Sequence, residues 1–266
     1  MKKKIISFVL AICLIIPCIV MLSACGPKPT YVNVSSMEEL SAALTNDIDN
    51  DIIVLEVDLD LKDVNNNTAL KIESGKHVLD LNGHTLKGVD NGSNSWHAID
   101  VRGNETQLTI KDTSAEKTGT IYGRCYGIQV SRGAKLVIDG GNFVCTQNGS
   151  FNQSVVVYGG ELVINGGKFT SKVGEIINSA SYIWNTVDYH SSVTINGGEF
   201  NSISTETDGA LFVFEKGEYS QSTDIQTVVI NGGTFNNNNL QYVVIYDSNV
   251  DFTNNANIPA EKISNY

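Results

Sequence analysis

The sequence predicts an all-β fold wound as a parallel β-helix, a solenoid of stacked coils, with a short α-helical cap at its N-terminal end. Three observations carry this prediction. A core motif recurs at Leu136–Phe143, Leu162–Phe169, Val193–Phe200 and Val228–Phe235, and three of the four copies read Ile-Asn-Gly-Gly-x-Phe. The Ile-to-Ile spacing grows from 26 to 31 to 35 residues, so a constant core carries variable insertions, as stacked coils do and a propeller or helical array of fixed period does not. Finally, no unit holds a helical period long enough for a βαβ crossover; parallel strands without crossover helices must wind as coils about 4.8 Å apart.

Taken in chain order, Lys2, Lys3 and Lys4 form a basic flank, Ile5 to Met21 an apolar core, and Leu22-Ser23-Ala24-Cys25 a small-residue end. This is the order of an export signal. Read instead as an uncleaved anchor, the 17-residue core is near the lower limit for a membrane-spanning helix and contains Pro17. The segment resembles the lipobox of bacterial lipoproteins. That resemblance implies removal of residues 1–24 as a signal peptide and a diacylglyceryl group on the Cys25 thiol, whose two acyl chains suffice for stable anchoring. The expected location is the bacterial cell envelope, exported and held to the membrane by lipid. Residues 25–31, with Pro27 and Pro29, read as a tether. Cys13 and Cys18 leave with the signal, and Cys125 and Cys145 are expected as small buried hydrophobes rather than a disulfide.

Residues 32–50 read as the cap. Ser36-Met37-Glu38-Glu39 matches a capping box, and Leu40 and Leu44 fall on one helical face, so the helix can cover the open edge of the first coil. Residues 51–266 read as the β-helix. Each motif is β-branched, alternating and stopped by Gly-Gly. Stacking in register makes Ile138, Ile164, Ile195 and Ile230 an aliphatic ladder, Phe143, Phe169, Phe200 and Phe235 an aromatic one, and Asn165, Asn196 and Asn231 a column of amides bonded up and down. A weaker copy runs from Leu81 to Leu86, and Ile110 supplies another rung. A second inward strand precedes each motif: Ile99/Val101, Ile128/Val130, Val155/Val157, Ile176 or Ile177, and Leu211/Val213. Val243, Ile245, Val250 and Phe252 read as a last partial coil, and Asn236 to Asn239 as a polar turn. The pattern resembles the right-handed parallel β-helix of the pectate-lyase-like superfamily over roughly residues 50 to 250, a resemblance specific for fold and unspecific for activity.

Composition narrows the partners. With 41% apolar and 18% charged residues, collagen, coiled coil and disorder fit poorly. Acidic residues number 29 against 18 basic, and three of the basic ones lie in the first 24 residues. Such a chain is repelled by phosphate backbones, which argues against nucleic acid. A monomer is expected.

The insertions point to a site. From the second inward strand to the motif the gap is nine residues (Val101 to Ile110), eight (Val130 to Ile138) and seven (Val157 to Ile164), then 18 (Ile177 to Ile195) and 17 (Val213 to Ile230). Two successive coils therefore expand at one corner, and their loops should lie side by side. They carry Tyr182, Trp184, Tyr189, His190 and Tyr219 beside Asp188, Glu215, Glu218 and Asp224. Rings beside carboxylates suit a sugar, whose C–H face stacks while its hydroxyls bond to polar groups. Trp184, Tyr189 and Tyr219 are the expected stacking rings, with Asp188, His190 and Glu215 on the hydroxyls. The competing structural reading has the rings folded inward to pack the loops.

Catalysis is the alternative. Polysaccharide lyases of the resembled fold imply clustered carboxylates, Ca²⁺ and a basic side chain. Here the outward positions Val137, Val163, Thr194 and Val229 offer no ligand, and Asp100, Gln129, Val156 and Asn178 form no carboxylate column. Arg102, Arg124 and Arg132 near Asp100 and His97 read either as a small acid/base site or, more simply, as solvated pairs. An inverting glycosidase needs two carboxyls about 6.5–9.5 Å apart, a role open to Asp188 with Glu215 or Glu218. His77, His84, His97 and His190 lack metal spacing and read as solvated or backbone-bonded. No cofactor or metal is expected, Ca²⁺ entering only with a lyase. The reading is thus a lipid-anchored surface protein binding an extracellular polysaccharide or other glycan, with a lyase or glycosidase, or an adhesive protein contacting another protein, as alternatives.

Overall fold

The computed structural model describes residues 29–46, 51–63, 69–88, 97–123, 126–145, 153–172, 175–203, 210–215, 222, 224–237, 241–246 and 249–266. Cys25, Glu218 and Tyr219, and also Arg124 and Cys125, lie outside them. The unit Tyr31–Tyr266 is built from three parallel sheets. Sheet A runs through nine strands, from Tyr31–Val34 and Ile52–Leu55 to Val250–Asn254; sheet B through seven, from Leu59–Asp60 to Thr234–Asn237; sheet C through eight, from Leu70–Ile72 to Ile263–Asn265. The chain visits A, then B, then C, and returns to A one coil further on. This is the parallel β-helix expected from the motif.

Register explains why the motif repeats. Ile110, Ile138, Ile164, Ile195 and Ile230 are successive Cα partners in sheet A, all fully buried. Phe143, Phe169, Phe200 and Phe235 are partners in sheet B, their rings stacked 4.7, 4.9 and 5.6 Å apart. Burial of each such ring contributes about 1.5–3 kcal/mol, and stacking about 0.5–1.5 kcal/mol more. At the corner between A and B the amide column forms with 2.8 Å bonds and is longer than its three motif asparagines: Asn165 donates to Asp139, Asn196 to Asn165, Asn231 to Asn196 and Asn255 to Asn231. The glycines of the motif are required there. A Cβ on Gly197 would meet the Asn165 carbonyl at 2.8 Å, and Gly198 sits at φ +116°.

Helix α1 (Met37–Thr45) caps the first coil with Met37, Leu40 and Leu44 buried in the common core. The Ser36 hydroxyl accepts from Glu39 N at 3.2 Å, while the Glu39 carboxylate turns back to Ser35 N at 2.7 Å, one residue before the position a standard capping box would use. Ahead of it, Tyr31–Val34 adds a strand to sheet A, where the sequence reading placed tether and cap. At the far end, Asn254 brackets Ile258 through both its amide atoms, and buried Ile258 closes the core.

Two rungs differ from the sequence reading. Leu79, not Leu81, pairs with Ile110, and Leu81 is buried in a longer corner tied by the Asp80 and Asp112 carboxylates. In sheet C the inward residues are Ile177/Ser179 and Phe212/Phe214, so Val213 faces outward and the two expanded gaps are each 16 residues, Ser179 to Ile195 and Phe214 to Ile230. Alternation failed as a guide because Ala210 to Phe214 are all buried. The Phe212 ring settles the register by meeting Phe200 edge-on at 5.0 Å.

Candidate functional site

The two expanded connections both leave sheet C and enter sheet A, at one corner of successive coils. The first is a β-hairpin, Tyr182–Trp184 against Val187–Tyr189. Its two-residue turn puts Asn185 at φ 47° and Thr186 at φ 68°, the double positive φ of a type I′ turn, strained for a β-branched residue. Its base is fixed to the preceding corner. The Ser191 hydroxyl donates to Ala180 O at 2.6 Å and accepts from Gly159 N at 2.8 Å, and Ser191 N donates to the Ser181 hydroxyl at 3.1 Å. Gly159 is the opening that admits the hairpin, because a Cβ there would lie 2.3 Å from Tyr189 Cβ.

Alternation within the hairpin divides the predicted residues between two faces. Tyr182, Trp184 and Tyr189 share one, since Tyr182 pairs with Tyr189 and Trp184 with Val187. The Tyr182 ring lies 6.1 Å from Tyr158 and 6.3 Å from Trp184, and the Arg132 guanidinium stacks 3.8 Å over the Trp184 ring. Trp184 remains 38% exposed. On the other face Asp188 and His190 meet the neighbouring loop: Ser222 donates to Asp188 at 2.5 Å, and His190 lies 3.6 Å from Asp224. The loops are therefore side by side, as expected. Asp188 and His190 thus each have one partner within the protein.

Glu215 belongs to a different cluster. It follows Phe212–Phe214 and continues the sheet C ladder, its N–H donating to Ser179 O at 2.9 Å. Its carboxylate accepts from Asn178 Nδ2 at 2.9 Å. Asn178 also favours the ionised form of Glu175, which accepts a short bond from Gln153 Nε2. Burial, reinforced by the Glu215 charge, raises the Glu175 carboxyl above the ordinary range. Burial and the same two carboxylates push Tyr158 up to about 12. Two buried acceptors of this cluster, Asn178 Oδ1 and Gln153 Oε1, have no hydrogen-bond partner, on residues only 6% and 5% exposed.

The column to which Glu215 belongs was missed by sequence reasoning. Register carries it down the outward edge of sheet C, one residue per coil: Arg102, Ser131, Tyr158 and Ala180 as direct partners, then Glu215, Tyr246 and Tyr266, each extending the ladder by one bond. Tyr246 and Tyr266 stack at 5.1 Å and are 52% and 79% exposed. The two glutamates thus lie between two sets of rings, Tyr158–Tyr182–Trp184 on one side and Tyr246–Tyr266 on the other, and burial together with Tyr266 and both carboxylates raises Tyr246. Aromatic residues closing sheet C strands, Tyr158 and Tyr246, were the available signal.

The remaining candidates fall elsewhere. Arg102 grips Glu73 through Nε at 2.7 Å and Nη2 at 2.6 Å, and lies 3.7 Å from Asp100. Asp100, Gln129, Val156 and Asn178 do form one outward row, yet Asp100, Val156 and Asn178 are buried rather than solvated, and burial raises the Asp100 carboxyl. Burial depresses the His97 imidazole to about 4. Cys145 is buried and donates to Gln153 O at 3.4 Å. Among the described residues no group of three or more His, Cys, Asp or Glu could hold a metal ion. Neither a family model, nor a curated protein, nor a solved structure matches the chain.

Proposed function

We propose that this chain is a lipid-anchored surface protein that binds a linear glycan along the outward edge of sheet C. The observation that carries the reading is the row of rings, Tyr158, Tyr182 and Trp184 at 6.1 and 6.3 Å, continuing past Glu175 and Glu215 to Tyr246 and Tyr266. Coils repeat about every 4.8 Å, so the column offers rings and acceptors at the spacing of successive sugar units lying parallel to the rod axis. Sugar C–H faces stack on such rings, and hydroxyls donate to acceptors of the Glu, Asn and Gln type.

Retention of the full chain on a glycan array tests this reading. Binding to at least one class of linear glycan is expected; no retention on any glycan overturns it. Release of reducing ends from a bound glycan would replace binding with hydrolysis and make Glu175 and Glu215 the acid and base. The anchor rests on the Lys2–Cys25 segment, and no helix among the described residues is long and apolar enough to cross a membrane. Cys25→Ala is expected to abolish acyl labelling and signal cleavage together. A variant that still carries the acyl label would refute the lipid assignment.

A further inference from the structure

We infer that this chain pairs with a second copy of itself through the outward face of sheet A, rather than standing as the monomer expected from sequence. The pairing is independent of the glycan reading, and only its direction rests on the lipid anchor proposed above. In-register stacking aligns one outward residue from each of the nine strands, in a central row that runs from Tyr31 through Thr109, Val137, Val163 and Thr194 to Thr253. All nine are uncharged, and eight are Val, Ile or Thr. Val137, Val163 and Thr194 are half-buried against their neighbours, and Tyr31 is 65% exposed. Parallel sheets are ordinarily covered on both faces. Sheet C already is, since Asp100, Val156 and Asn178 of its outward row are buried, and sheet B carries the Lys168–Glu199 ion pair, 3.2 Å apart, on its own. The hairpin leaves sheet A bare, because its rings turn toward Tyr158 and Arg132.

The placement of charge names the occupant. In a two-fold pair whose axis runs along the rod over the central row, each residue of that row meets its own twin. A charge there would face its like and oppose pairing, and all nine positions avoid one. The rows two residues to either side exchange partners, so each must suit the other. Lys135 then lies opposite the twin's Asp139, twice over. Further along, Glu161, Ser192, Thr227 and Asp251 lie opposite Asn165, Asn196, Asn231 and Asn255. Those amides are exposed, and each gives one Nδ2 hydrogen to the column and the other to solvent, where an acceptor of the twin can take it. No described pair sets like charges opposite. Nine strands about 4.8 Å apart, each five residues at about 3.3 Å, give a face of about 40 by 15 Å, and pairing removes on the order of 1,000 Å² over both copies, enough for a weak specific contact. Parallel rods put both copies of Tyr31, six residues after Cys25, at the same end. Both lipids then enter one membrane, whose plane concentrates the copies; antiparallel rods would set the anchors at opposite ends.

Cross-linking of the full lipidated chain in phosphatidylcholine vesicles with a short bismaleimide tests this. Thr194→Cys is expected to give covalent dimers, because position 194 meets its twin on the axis. The unsubstituted chain sets the background, its Cys145 being buried. Thr170→Cys, outward on sheet B, reports random collision and is expected to give about tenfold fewer dimers. Val137→Lys puts a charge on the axis and is expected to lower the Thr194→Cys yield about tenfold or more, the effect of one like-charge contact, with the melting transition nearly unchanged. Val163→Lys makes the same test one coil further on. Equal yields from Thr194→Cys and Thr170→Cys, or a Thr194→Cys yield that neither lysine lowers, overturn the inference. Covalent pairs joining Thr109→Cys copies to Thr194→Cys copies in mixed vesicles would mean antiparallel rods and overturn the parallel arrangement.

Discussion

Two corners of the same coils have been put to opposite uses. Where sheet A turns into sheet B, the chain spends two glycines and one asparagine, coil after coil, and the side chains bond only to the coils above and below. Where sheet C turns back into sheet A, successive coils diverge, one extending the hairpin Tyr182–Tyr189 and the next a loop that reaches it through Ser222 and Asp224. The first corner is saturated with hydrogen bonds. The second leaves rings half exposed and buried acceptors orphaned. Repetition secures stability, since each rung is supported by identical neighbours; departure from it places chemistry on a surface the repeat holds rigid.

The largest effect should come from the core that both corners share. Phe169 is fully buried between Phe143 and Phe200, so Phe169→Ala is expected to cost about 3–5 kcal/mol in chemical denaturation. A loss below about 1 kcal/mol would mean that the rings are surplus to the corner amides. Acid tests the C side. His97, ordinarily near 6.5, is held to about 4 by burial, so the unfolded chain binds the proton first. Its contribution is present above about pH 6.5 and is lost as pH falls toward 4, on the order of 3 kcal/mol in all. In His97→Phe that part of the acid sensitivity should vanish from the stability profile.

A smaller effect has the opposite sign. The raised carboxyl of Glu175 binds a proton more readily folded than unfolded, so its ionised form is a cost present above its folded pKa and relieved below the unfolded one. Glu175→Gln should therefore raise the melting temperature at pH 7, with the gain shrinking as pH falls through the carboxylate range. A lower melting temperature at pH 7 would mean that the cluster is a structural tie like the other corner and not a strained site.

The motif corner was readable because its rule is local: Ile-Asn-Gly-Gly-x-Phe fixes inward residue, amide, turn and inward ring within six residues. The expanded corner was readable only in position. Its spacing gave the loops away, but not the hairpin, whose Asn185-Thr186 turn lacks the glycine that normally marks type I′. The split of Asp188 and His190 from Trp184 follows from strand alternation once the hairpin is known. Glu175 and Tyr246 escaped notice, and Asn178 was read only as an outward position without a carboxylate, because they come together across coils, by a register that depends on which residues of Ala210–Phe214 point inward. That stretch is apolar and buried throughout, so sequence offers no alternation to read.

The division of labour between corners is tested most directly by measuring thermal stability and glycan retention together for Asn196→Ala and Trp184→Ala. Asn196 both donates to Asn165 and accepts from Asn231 at 2.8 Å, and its loss should cost about 1–2 kcal/mol with glycan retention intact. Trp184→Ala should leave the melting transition nearly unchanged and weaken retention by about 1 kcal/mol or more. If Trp184→Ala instead melts early and keeps its glycan, the expanded corner is packing and the account is wrong.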